Sequence, residues 1–171
     1  DLRRQRQMCI RDRAIDIVTD FTASAWVRAD AFGGTQNPII GKGGDSQFML
    51  RADNLSGGFT FFTNDGGFHR CDSDGPLVLG QWYYVVGRLQ GTEVSLWVDG
   101  VKQTDVEVGG VTSNAFDIEI GRSAQFPGRL FDGIIDEVRM SDVARSDGWI
   151  TTTYNSISNT LGSFYLMSAQ M

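Results

Sequence analysis

Carboxylates are the first groups in this chain whose spacing could support catalysis. Glycoside hydrolysis needs two of them across a cleft, about 5–5.5 Å apart for retention and wider for inversion. Asp132 and Asp136 lie four residues apart. On a strand that spacing puts them on one face but about 13 Å from each other. Asp117 and Glu119, in Asp117-Ile118-Glu119-Ile120-Gly121, are closer, yet no acid stands at the next alternate position on either side. Both pairs read as solvent-facing acids. The single histidine, His69, has no serine or cysteine at a recognisable nucleophile elbow, so a triad is unsupported. Cys71, between Arg70 and Asp72, has no base beside it and reads as a semi-exposed thiol. Asp136 shares its alternating face with Ile134 and Val138. A buried carboxylate there needs a cation, a salt bridge or a backbone cap. Asp45, Asp53, Asp65, Asp72 and Asp74 fall in turn-like segments and read as turn residues.

The elements that must position these groups are strands. Phe21, Ala23, Ala25 and Val27 alternate with Thr22, Ser24, Trp26 and Arg28, which is period two and leaves Trp26 to an edge or a second layer. Similar runs follow at 39–42, 47–51, 58–63, 81–89, 93–98, 116–120 and 131–140. Clusters of Gly, Asn and Asp punctuate them, residues that tolerate positive φ or cap their own turns. Asp99-Gly100 is a hairpin signal that returns Val101-Lys102-Gln103 antiparallel to the strand before it. Ser146 reads as the N-cap of one short helix over 146–154, followed by a polar, turn-rich stretch and a last strand at 164–167. Short strands at regular spacing with glycine-rich turns predict an all-β, two-sheet sandwich. The 21 glycines against three prolines agree with that.

The chain of 171 residues fits one domain. Its net charge of −6 argues against nucleic acid, whose phosphates need clustered Lys and Arg. No apolar run reaches the roughly 18 residues of a membrane span, so no membrane insertion is expected. Residues 1–13, DLRRQRQMCIRDR, stand apart with five Arg and no periodic apolar face. Their last six are also what the mosaic-end adapter of transposon-based sequencing libraries encodes when read as protein. They are taken as a non-native leader, the rival being a basic arm for an anionic surface. Without them the 15 Lys+Arg and 21 Asp+Glu lose five Arg and two Asp, leaving 10, 19 and a net of −9. Cys9 goes too, and Cys71 is left without a partner.

Leu79-Gly80-Gln81-Trp82, followed by Val94-Ser95-Leu96-Trp97-Val98-Asp99-Gly100-Val101, resembles the laminin-G-like modules of the concanavalin A-like lectin/glucanase superfamily. An opening Phe21 to Val27, a late Ile120-Gly121-Arg122 and a closing Phe131-Asp132-Gly133-Ile134-Ile135-Asp136-Glu137-Val138-Arg139 carry the same pattern. The resemblance runs from about residue 14 to 155. It departs from the family in lacking the usual first strand and in placing Trp at 97, where Tyr is commoner.

The resemblance implies an all-β, antiparallel jelly-roll sandwich over 14–171 with one short helix near the C-terminus, a piece of a larger protein. It also implies a non-catalytic binding module, secreted or displayed at the cell surface, with carbohydrate as ligand. A structural or adhesive spacer that binds extracellular protein is the alternative, and a glycoside hydrolase stands further behind. Partners are then a glycan or protein ligand and other domains of the same polypeptide. The family often holds a structural Ca²⁺ through the aspartate of its closing motif, which falls on Asp136 alone. Sugar-binding modules use aromatic platforms beside amides and acids. The candidates are Trp97, His69, Arg70, Asn64 and Asp65, while Trp26, Trp82 and Trp149 are assigned to packing.

Overall fold

The computed structural model describes residues 17–168, the last ten of these by backbone alone. The leader proposed for residues 1–13 lies outside the described residues. Ten strands form in chain order: β1 Phe21–Ala31, β2 Gln36–Lys42, β3 Phe48–Asp53, β4 Gly58–Asn64, β5 Phe68–Asp72, β6 Trp82–Gln90, β7 Glu93–Val98, β8 Val101–Val108, β9 Ile118–Ile120 and β10 Asp132–Ser141. One helix, α1 Asp147–Ser168, follows. The strands build two antiparallel five-stranded sheets, ordered β10-β1-β6-β7-β8 and β5-β4-β3-β2-β9. This is the sandwich that the alternation of apolar residues predicts.

Between the sheets, Phe21, Ala23, Ala25 and Val27 of β1 face Phe48 and Leu50 of β3 and Phe59 and Phe61 of β4, all essentially without solvent exposure. Each large side chain buried here contributes about 1.5–3 kcal/mol by leaving water. Gly87 of β6 is part of this fit: a methyl group there would sit 2.2 Å from the Phe61 ring. A second, smaller cluster lies on the outer face of the first sheet. Tyr84, Val86, Trp97 and Ile150 are buried in it, with Trp26, Trp149 and Tyr154 packed against them. Trp26 therefore does occupy a second layer, stacked on Tyr154 with ring centroids 5.8 Å apart.

Ser146 caps α1 as expected, its Oγ accepting from the Trp149 N–H at 3.2 Å. The helix then runs on to Ser168, so the turn-rich stretch and the strand expected at 164–167 are not formed. Ile150, Tyr154 and Ile157 recur at helical spacing, and burying this stripe outweighs the weak helix propensity of the Ser, Thr and Asn around it. Strand β5 was not expected either. It converts His69, Arg70 and Cys71 from loop residues into members of an edge strand.

Candidate functional site

A groove of about 410 Å³ opens where the outer face of the first sheet meets α1. Trp26, Trp82, Tyr154 and Ile157 form its apolar wall, and Gln81, Asp99, Asp136, Glu137 and Ser158 supply the polar edge. Two local devices position the acids. The Asp99-Gly100 turn has both residues at positive φ, 52° and 78°, as a tight two-residue hairpin requires. It presents Asp99, whose Oδ1 accepts the Tyr84 N–H at 2.8 Å. Burial pushes the Asp99 carboxyl above its ordinary range, and that hydrogen bond pulls the other way.

The second device is a bulge in β10. Trp26 pairs with Asp136 and Ser24 with Arg139, so Glu137 and Val138 together oppose Ala25. Glu137 takes φ 50°, a left-handed conformation that costs a non-glycine residue about 1–3 kcal/mol. An unbroken strand would send Asp136 and Glu137 to opposite faces; the bulge lets both line the groove. Asp136 Oδ1 accepts the Glu137 N–H at 2.8 Å, and Glu137 pairs with Arg139 at 2.6 Å. Beside them the Trp26 indole nitrogen is buried without a hydrogen-bond partner. Trp82 is 39 % exposed and has the Arg28 guanidinium 6.0 Å from its ring.

The bulge also corrects the environment expected for Asp136. Val138 turns into the core, whereas Asp136 is exposed beside Trp26. A solvated carboxylate has no need of a cation to offset burial. Ca²⁺ takes six to eight oxygens, roughly, and among the described residues no three His, Cys, Asp or Glu converge to hold a metal.

The five residues expected to bind sugar are not gathered in one place. Trp97 is 1 % exposed, held between the Arg88 guanidinium at 4.3 Å and the Lys102 ammonium at 5.4 Å, and presents no platform. Trp82, assigned to packing, is the exposed one. His69 and Asp65 do meet, Nε2 to Oδ1 at 2.8 Å, and this bond is the main cause of the Asp65 carboxyl lying below its usual range. The His69 ring lies over Gly109, where a Cβ would stand 2.1 Å from it. Asn64 is occupied in its own turn, with Oδ1 accepting the Gly66 N–H and Nδ2 donating to the Asp45 carbonyl. Arg70 points to the other face of β5, where it pairs with Asp72 at 2.9 Å and Asp53 at 3.4 Å. Cys71 is fully buried rather than semi-exposed; its thiol donates to the Val94 carbonyl, and burial pushes its pKa up to about 12.

Arg70 belongs to a second, smaller hollow of about 270 Å³, on the outer face of the second sheet. Gln36, Asp45, Arg51, Phe62 and Phe68 complete it. No alternation signal in the sequence announces either hollow, because each depends on what covers the sheet's outer face.

The chain belongs to the concanavalin A-like lectin/glucanase superfamily, whose Laminin_G_3 family matches residues 3–151. A Bacteroides ovatus protein assigned to carbohydrate binding is similar at 26 % identity and TM-score 0.65, over 80 % of this chain and 40 % of that one. The chain thus spans well under half of that protein's length. The fourth domain of an extracellular GH43 arabinanase from Geobacillus stearothermophilus, solved with arabinotriose, shares the fold at 18 % identity and TM-score 0.63, over 80 % of this chain and 68 % of that one. A heptameric pentraxin from Limulus polyphemus does so at 13 % and 0.64, over 80 % and 70 %. No curated protein sequence matches. The fold is one that carbohydrate-binding domains share.

Proposed function

We propose that this domain is a non-catalytic carbohydrate-binding module, displayed outside the cell as part of a larger polypeptide, that holds a glycan in the groove between the first sheet and α1. The observation that carries this reading is the pairing of an exposed Trp82 with Asp136 and Glu137, brought to one side by a strained bulge. Sugars present an apolar C–H face and a rim of hydroxyls, so an aromatic wall with carboxylate and amide acceptors matches them. Backbone strain at Glu137 is held where a ligand would contact it, as strain often is. The acids of the groove favour neutral over anionic glycans, because a second carboxylate would meet like charge.

The superfamily and the Bacteroides ovatus likeness support glycan as the ligand class. The extracellular arabinanase domain supports the location. No helix among the described residues is long and apolar enough to cross a membrane.

Calorimetric titration with arabinotriose and a panel of neutral and uronate-containing oligosaccharides tests the reading. At least one neutral glycan should bind, and Trp82→Ala should weaken it roughly tenfold while leaving the melting temperature unchanged. Silence across the panel, or an undiminished affinity in Trp82→Ala, would overturn it. Release of reducing sugar from the bound glycan would overturn the non-catalytic part alone.

A further inference from the structure

The hollow on the second sheet is built differently from the groove, and its chemistry can be read separately. Phe62 forms its floor at 2 % exposure, with the Arg51 guanidinium 5.1 Å from the ring centroid. Phe68 stands at the rim, 5.8 Å from Phe62, with 66 % of its surface in solvent. Such a large exposed aromatic, supported from beneath and not covered, is a ready platform for an apolar ring face.

The charges around it cancel. Arg51 pairs with Asp53 at 2.9 Å, Arg70 with Asp53 and Asp72, and Arg129 with Asp45 at 2.8 Å. Three cations therefore meet three anions, and an anionic ligand would have to break a pair to bind. One polar atom remains unmatched: Gln36 Oε1 is buried with no hydrogen-bond partner. An orphaned acceptor calls for a donor, which fully ionised phosphate, sulfate and carboxylate groups lack and a sugar hydroxyl provides. The partly exposed Arg70 guanidinium offers donors from the same hollow. Its volume lies just under the range of about 300–1,000 Å³ usual for small-molecule pockets, which suits one sugar unit.

We propose that this hollow is a second binding subsite, for a single neutral sugar unit that stacks on Phe68 and donates a hydroxyl to Gln36 Oε1. It goes beyond the first groove, although both share the premise that the ligand is a glycan. The two sites occupy outer faces of opposite sheets, themselves about 10 Å apart before side chains are counted. A short oligosaccharide cannot fill both. The domain would bridge separate glycan chains, or separate stretches of one, and gain avidity on insoluble polysaccharide.

Backbone and side-chain amide shifts of the whole chain, followed during titration with glucose, galactose, arabinose, N-acetylglucosamine, glucuronate and inorganic phosphate, test this. At least one neutral sugar should move the resonances of residues 68–71 and the Gln36 side-chain amide, in the wild type and equally in Trp82→Ala. Phe68→Ala should weaken that response roughly tenfold, and Gln36→Leu should weaken it while the first groove responds as before. Shifts around Trp82 with none around Phe68 would overturn this inference and leave the first reading standing. Shifts around Phe68 with none around Trp82 would do the reverse. A response there to phosphate or glucuronate alone would overturn the neutral-sugar assignment, and silence everywhere would remove both sites.

Discussion

The two outer faces of this sandwich meet water in opposite ways. On the first sheet, Trp26, Tyr84, Val86 and Trp97 are apolar, and a helix covers them. On the second, Arg51, Asp53, Thr60 and Phe62 are nearly as buried, yet no helix lies over them among the described residues. Charge does the covering there. Arg51 and Asp53 of β3 interlock with Arg70 and Asp72 of β5, and Thr60 of the intervening β4 donates to Asp72. Burial desolvates Arg51 and lowers its pKa, and Asp53 is the chief counterweight. A sheet face can thus be closed by a further layer of apolar contacts or by its own cross-strand ion pairs. Only the first solution leaves a deep apolar groove at the layer's edge.

The two solutions should differ most in their response to a single deletion. Asp53→Ala leaves the nearly buried Arg51 without its partner and removes the cap on the Leu55 N–H. It should cost about 3–5 kcal/mol in urea unfolding. Arg51→Met combined with Asp53→Leu removes both charges and should recover most of that loss. A double variant as unstable as the single one would mean that the ion pairs hold the face by more than mutual compensation.

On the helix-covered face, Ile150→Ala removes the one fully buried side chain among the described residues of α1. The expected cost is about 2–3 kcal/mol, low for a core isoleucine because a helix clamped on one side can settle into the space. Fluorescence of the Trp26 and Trp149 region should report the same transition as far-ultraviolet circular dichroism. Loss of helix signal well before the strands melt would show that α1 is a separately detachable cover.

These contrasts also mark what was legible in the sequence. Strands β1 and β7 follow from alternation, β6 from its run of aromatic and β-branched residues, and the β7–β8 hairpin follows from Asp99-Gly100. Strand β5 was missed because Phe68, Arg70 and Asp72 face outward into the charge lattice, so no apolar alternation announces it. Period two assigns a residue to a face without saying whether that face is later covered. That is why alternation does not tell the buried Trp97 from the exposed Trp82: Trp97 lies in the cluster that Ile150 joins, and Trp82 lines the groove. The convergence of Asp136 and Glu137 depends on one bulged residue, which a one-residue register shift creates and composition does not record.

The bulge itself can be probed for whether it serves structure or binding. Glycine is normally about 0.5–1 kcal/mol worse than alanine within a strand. At the left-handed Glu137 the order should invert, with Glu137→Gly more stable than Glu137→Ala by about 1 kcal/mol, since only glycine escapes the Cβ clash. Both variants should lose glycan affinity in the groove. Equal stabilities would mean that the neighbouring strand, and not the residue's own conformation, sets the local energy.

The smallest effect expected is a pH dependence of two carboxylates on the helix-covered sheet whose signs oppose. The Lys102 hydrogen bond is the main reason the Glu93 carboxyl lies below its usual range, with Ser95 and Arg88 adding to it. A lowered folded-state value stabilises the fold above the ordinary glutamate pKa of about 4.3, and that share is lost as pH falls below it. Asp99 is raised by burial, so the folded chain holds its proton longer than the unfolded chain does. Its contribution is present below the ordinary aspartate value of about 3.9 and fades as pH climbs through the raised one. Lys102→Met should therefore flatten the acid side of the stability profile. Asp99→Asn, which keeps an acceptor for the Tyr84 N–H and suits the positive φ, should gain stability at neutral pH and none in acid. If Asp99→Asn shifts the melting temperature equally at both extremes, its carboxyl pays no ionisation penalty, and the groove edge is wetter than its half-buried position implies.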